Sequence, residues 1–159
     1  AAYLVRTYLS HLYYGAKKVF WYEMADEPFC PNNPESFFGI LRFNESLSVK
    51  PSAVAFSNMV NNYRHAIPVG KYVGQSYGFA YDNQGKNQLC LWTEKDSKEE
   101  TLYLPNTKKV NVIDIFGRVQ QLKVLNGKVV ITIGYLPITI TGFDQDDFTG
   151  LYTPRKVVK

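Results

Sequence analysis

Cysteine and histidine are almost missing from this 159-residue chain, which holds two of each. Cys30 and Cys90 can form at most one bridge, so no disulfide framework and no four-thiolate zinc site is readable. Cys90, inside Leu89-Cys90-Leu91-Trp92, reads as a small core residue. His11 and His65 have no second metal-type ligand nearby in the sequence, which argues against a histidine metal centre or a Ser-His nucleophile. Neither metal nor cofactor is expected. Apolar runs are short, none approaching the ~18–20 residues of a membrane helix, and residues 1–6 lack the basic and apolar blocks of a signal peptide. Charge of one sign is also scarce: 18 basic against 14 acidic residues give +4, scattered except at Lys17-Lys18, Lys108-Lys109 and the end of the chain. A nucleic-acid reader gathers its positive charge on one face. Nucleic acid and membrane are therefore not expected partners.

What is abundant is aromatic, with 12 Tyr, 10 Phe and 2 Trp in a chain that is 45% hydrophobic, ample material for a packed core. Periodicity changes near residue 68. Before it, Leu4, Val5, Tyr8, Leu9, Leu12 and Tyr13 recur at helical spacing and Gly15 stands where a left-handed cap belongs, which predicts a helix over 1–14. Residues 18–24, Lys-Val-Phe-Trp-Tyr-Glu-Met, predict a strand, followed by a proline-rich loop over 28–34. Pro51 opens a second helix whose apolar face is Val54, Phe56, Met59, Val60 and Tyr63.

After residue 68 about seven short strands are predicted, over 77–81, 88–94, 100–104, 110–115, 119–125, 128–133 and 137–142. Asp82-Asn83-Gln84-Gly85 and Asn126-Gly127 are hairpin signals. The fold class read from this is an α/β piece followed by an all-β antiparallel sandwich: a helix-strand-helix portion over 1–67, a sandwich over 68–143 and a tail over 144–159. A lone strand between two helices leaves its backbone groups unsatisfied. Its partners are expected in polypeptide preceding Ala1, and the start without Met, inside a helical pattern, fits a processed or incomplete chain. A closed (β/α)8 barrel takes about 250 residues, more than are present.

The order of several short motifs carries a resemblance. Ala2-Tyr3-Leu4-Val5-Arg6, Gly15, Phe20-Trp21-Tyr22-Glu23, Phe38-Gly39-Ile40-Leu41 and Lys50-Pro51-Ser52-Ala53 resemble the last stretch of clan A glycoside hydrolases. The run from Val112 to Gly117, then Asn126-Gly127-Lys128, Ile131-Thr132-Ile133 and Pro137 to Gly142, is similar to the β-sandwich that follows such barrels. The resemblance covers about residues 2–143. It implies that 1–67 is the terminal α-β-α piece of a barrel and that the parent enzyme cleaves β-linked glycosidic bonds with retention. Such enzymes use two carboxylates about 5–5.5 Å apart. By the same resemblance both lie upstream of Ala1, and this chain alone is expected to be inactive. The implied partners are an oligosaccharide or polysaccharide and the remainder of the barrel. Export from the cell is expected by analogy only.

Alternation along 18–24 sets Val19, Trp21 and Glu23 on one face and Phe20, Tyr22 and Met24 on the other. The second, apolar face is expected to meet the helices, leaving Trp21 and Glu23 toward the barrel axis as substrate-binding residues. Trp21 then reads either as a stacking platform for a sugar or as ordinary core, and Glu23 either as an acceptor for sugar hydroxyls or as half of an ion pair. Glu23 is also a candidate catalytic nucleophile by its strand-end position, against which Phe38-Gly39 and Lys50-Pro51 follow as they would after the eighth strand. Asp26 and Glu27 read as a distal sugar subsite or a solvated loop, Arg6 as a surface or helix-packing residue, and Asn44-Glu45-Ser46 as a chance sequon. Tyr77, Phe79, Tyr81, Trp92 and Tyr103 read as core more readily than as a carbohydrate-binding face. The competing function is a noncatalytic carbohydrate-binding or structural module with an α/β docking segment.

Overall fold

The computed structural model describes residues 1–27, 32–44 and 46–156; Pro28, Cys30 and Glu45 lie outside them. Helix α1, Ala2–Tyr13, buries Ala2, Leu4, Val5, Leu9 and Tyr13. It ends at Gly15, φ +98°, where the Ala16 N–H donates to the His11 carbonyl at 3.0 Å. Helix α2, Pro51–Tyr63, begins on a proline whose missing N–H has no intrahelical use there. It buries Ala55, Met59 and Tyr63. Val54 and Val60, expected on its apolar face, are instead 44% and 37% exposed, because α2 is covered along one stripe only.

The remaining chain is antiparallel. Its strands are β1 (Ile67–Tyr72), β2 (Tyr77–Asn83), β3 (Lys86–Trp92), β4 (Lys98–Tyr103), β5 (Lys109–Ile113), β6 (Val119–Lys123), β7 (Lys128–Ile133), β8 (Ile138–Thr141) and β9 (Tyr152–Pro154). Seven of them form one sheet in the order β6-β5-β8-β3-β2-β1-β9, and β4 pairs with β7 in a second. The β6–β7 connection turns at Asn126 and Gly127, φ 52° and 70°, as its dipeptide signal requires.

Strand alternation in β2 and β3 builds two cores from one sheet. Phe79, Tyr81, Cys90 and Trp92 face α1 and α2, while Ala80, Leu89 and Leu91 face β4, β7 and the chain end. Polar and aromatic contacts tie α1 down. Tyr13 stacks on Phe79 with ring centres 4.2 Å apart, and the Tyr81 hydroxyl donates to the Leu9 carbonyl at 2.8 Å. Arg6 is a packing residue: its guanidinium lies 3.9 Å from the Tyr135 ring centre and 5.9 Å from that of Trp92, and it donates to the carbonyls of Thr93 and Tyr135. Phe79, Tyr81 and Trp92 are accordingly core, whereas Tyr77 and Tyr103 are 48% and 63% exposed.

Three expectations are corrected. Residues 18–24 form no strand; the segment is irregular, with one parallel bridge just beyond it, Ala25 to Leu41. Pairing needs a neighbouring strand, and among the described residues none lies beside it. Strand β1 lies outside the seven expected strands; a register shift between Pro68 and Gly70 absorbs the proline. The segment 144–159, expected as a tail, folds as far as Pro154: helix α3, Gln145–Thr149, seats Phe148 at 1% exposure, and β9 completes the sheet beside β1.

Asp147 explains why so acidic a segment docks. Its buried carboxylate accepts from the Asn106 and Thr107 backbone N–H groups at 2.9 and 2.7 Å, the Asn106 amide at 3.0 Å and the Thr107 hydroxyl at 2.7 Å. Replacing Asp147 by Ala orphans those donors and is expected to lower unfolding stability by about 3 kcal/mol in a denaturant titration; a change near zero would show that α3 is not held this way.

The free Cys90 thiol, 1% exposed, is pushed up to about 12 by burial, and burial likewise raises Tyr63 and Tyr81. Since the folded state prefers these acids neutral, their contribution is complete below the unfolded thiol value of 9.0 and is lost as pH rises toward 12. Stability measured by urea unfolding should fall across that alkaline window. Cys90→Ala should remove part of the slope, and Cys90 should react with a thiol reagent only on unfolding.

Candidate functional site

The residues singled out around position 21 line a cleft of about 200 Å³ between α1, the segment 19–24 and α2. Trp21 packs half-buried against the helical core beside Tyr8, Ile40 and Phe56. Its indole N–H donates to the Phe38 carbonyl at 3.1 Å, and its ring meets Tyr3 edge-on at 6.5 Å. Glu23 lines the same cleft, half-buried, with a buried Oε1 that has no hydrogen-bond partner among the described residues. The structure thus brings Trp21 and Glu23 together. Among the described residues Glu23 is the cleft's sole carboxylate, so the two-carboxylate pair of a retaining glycosidase is not assembled at this place.

The orientation of this segment departs from expectation. Phe20, Tyr22 and Met24, expected against the helices, are 86%, 57% and 68% exposed. The indole takes the apolar floor that α1, α2 and Ile40 provide, and no other layer of the described chain covers the opposite face. Tyr22 reaches out to Glu27, donating to its Oε1 at 3.1 Å. That hydrogen bond, with the charges of Glu23 and Glu27, raises the phenol above its ordinary value.

Asp26 is neither solvated nor open to a ligand. It pairs with Lys50, Nζ to Oδ1 2.6 Å, and the same ammonium donates to the Phe37 carbonyl at 2.9 Å. Sequence reasoning used Lys50 only as part of the Lys50-Pro51-Ser52-Ala53 motif. The signal it left unused is a basic residue and an acidic one flanking a long loop. Gly39 completes the clasp. A Cβ there would lie 2.1 Å from the Asp26 nitrogen and 2.3 Å from the Ala25 carbonyl carbon, so only glycine lets the two backbones pass. Next to it, the Ile40 and Leu41 N–H groups donate to the Met24 carbonyl at 3.1 and 3.0 Å. Neither backbone can yield without breaking these bonds. Gly39→Ala is therefore expected to cost about 1–3 kcal/mol and to increase proteolysis of the loop, read by thermal unfolding and limited digestion; wild-type values in both would disprove the close approach.

No protein-family model matches the chain, and no curated protein matches it. Solved structures do. The chain is similar to a family 39 glycoside hydrolase from the gut symbiont Bacteroides cellulosilyticus, with a TM-score of 0.77 and 28% identity, over 89% of this chain and 29% of that one. A GH30 endoxylanase from Clostridium papyrosolvens aligns over 62% of this chain and 29% of its own, at a TM-score of 0.47 and 12% identity. The chain spans 29% of the length of each. The resemblance carried by the Trp21, Gly39 and Pro51 motifs and the similarity in three dimensions point to the same class: this chain resembles part of a glycoside hydrolase.

Proposed function

We propose that this chain is the carboxyl-terminal portion of a retaining glycoside hydrolase acting on β-linked sugars, with the catalytic carboxylate pair in polypeptide that precedes Ala1. The observation that carries this reading is the similarity to the family 39 hydrolase over 89% of this chain but 29% of that one. Two features of the segment around Trp21 support it. Residues 18–24 have no strand partner among those described, and Phe20, Tyr22 and Met24 present an apolar face to solvent. Both are what the final stave of a barrel shows when its neighbours are taken away.

In this reading α1 and α2 are the last barrel helices, and the sandwich braces them through Phe79, Tyr81 and Trp92. Glycosyl transfer needs an acid and a nucleophile about 5–5.5 Å apart, supplied by the missing strands. The contribution of this chain is positional: Trp21 offers an aromatic edge to a sugar ring, and the unpaired oxygen of Glu23 accepts a hydroxyl or a cationic side chain. Glu23 without a second carboxylate gives no turnover, and the 159 residues alone are inactive.

The test is to express the chain together with the polypeptide encoded before Ala1 and to assay both forms on aryl β-glycosides. The longer form should hydrolyse one of them with retention, seen as the anomer released, and lose at least about a thousandfold when a strand-end Glu before α1 is changed to Gln. The short form should show no turnover. Hydrolysis by the 159 residues alone, abolished by Glu23→Gln, would overturn the proposal.

A further inference from the structure

A groove of about 610 Å³ opens where the β1–β2 and β3–β4 connections meet, and it shares no lining residue with the Trp21 cleft. One wall is Tyr77, half exposed although its ring lies nearly parallel to Trp92, 18° and 6.5 Å between centres. The wall is held from below. Buried Glu100 accepts from the Ser76 N–H at 2.5 Å and from the Tyr72 hydroxyl at 3.1 Å, which fixes the turn that carries Tyr77. Ser76 and Thr93, 7% and 3% exposed, also line the groove, and neither side-chain hydroxyl has a hydrogen-bond partner among the described residues. Buried hydroxyls are normally paired, so two unpaired ones at a single groove call for a partner from outside the chain.

The rim decides what kind of partner. Lys71, Lys95 and Lys98 stand there with Glu94 and Asp96. An anion such as a phosphate would meet the two carboxylates, and a polyamine would meet the three ammonium groups. A neutral polyol suits both, since each hydroxyl donates to a carboxylate and accepts from an ammonium. A pyranose adds an apolar C–H face that fits an aromatic ring.

We propose that this groove is a second carbohydrate site, binding a neutral pyranose chain with one ring stacked on Tyr77 and its hydroxyls on Glu94 and Asp96. In the bound state so proposed, the Ser76 and Thr93 hydroxyls, closed off from solvent in the free chain, turn toward the sugar. The site needs nothing from polypeptide outside this chain and does not rest on the hydrolase reading.

Xylohexaose titrated into the isotope-labelled 159-residue chain, followed by amide chemical shifts, tests it. Shifts should cluster at residues 75–77 and 93–96. Tyr77→Ala should weaken binding about tenfold, and Tyr77→Phe, which keeps the ring, should stay within about twofold. Thr93→Val, nearly isosteric, should weaken binding with little change in thermal midpoint. Absent shifts at millimolar sugar, shifts confined to the residues around Trp21, tighter binding of glucuronate than of xylohexaose, or an unchanged affinity in Tyr77→Ala would each overturn the proposal.

Discussion

The β2–β3 hairpin is buried on both faces, and the rest of the molecule is built on that constraint. A strand offers its neighbours alternate residues, so one hairpin can face two different layers only if both sets of side chains are apolar and differ in shape. Here the set toward the helices is bulky, Phe79, Tyr81 and Trp92 with Cys90 between them, and the set toward β4 and β7 is smaller, Ala80, Leu89 and Leu91. The large rings span the gap to rounded helices. The smaller aliphatic groups let a second sheet come close. The helical piece and the sandwich therefore share one floor, and neither keeps its core intact without the other.

A few charged side chains pin connections inside this molecule. Glu100 holds the turn before β2, Asp147 holds the β4–β5 connection, and Lys50 reaches across the loop to Asp26. In the first two cases a buried carboxylate is satisfied largely by backbone or hydroxyl donors, which satisfies it without a second buried ion. Loops fixed in this way present side chains at defined places, which is what a binding surface requires. Tyr77 on the Glu100-bound turn is one result, and the Trp21 indole above the Phe38 carbonyl is another.

The segment 18–24 is the exception to this closure. It has strand composition without strand pairing, and it leaves Phe20, Tyr22 and Met24 exposed. Backbone donors and acceptors can be met by water at a surface, so the segment persists as irregular chain, but Phe20 and Met24 gain nothing from water. In the proposed reading, strands that precede Ala1 would cover this face and pair with this backbone.

Much of the architecture was legible in the sequence because it depends on short-range chemistry. The 3.6-residue spacing of α1, Pro51 at the start of α2, the Asn126-Gly127 turn and seven short strand runs bounded by turn signals all follow from local sterics and periodicity. The sequence alone also carried the resemblance to glycoside hydrolases, through the order of its Trp21, Gly39 and Pro51 motifs. What it could not decide depended on partners far along the chain. Whether Trp21 or Phe20 would face the helices, whether Asp26 would be solvated or paired, and whether an acidic segment ending in Tyr152-Thr153-Pro154 would join a sheet were settled by which surfaces were available in three dimensions. Periodicity tells a residue which neighbours share its face; only the packed structure says what that face meets.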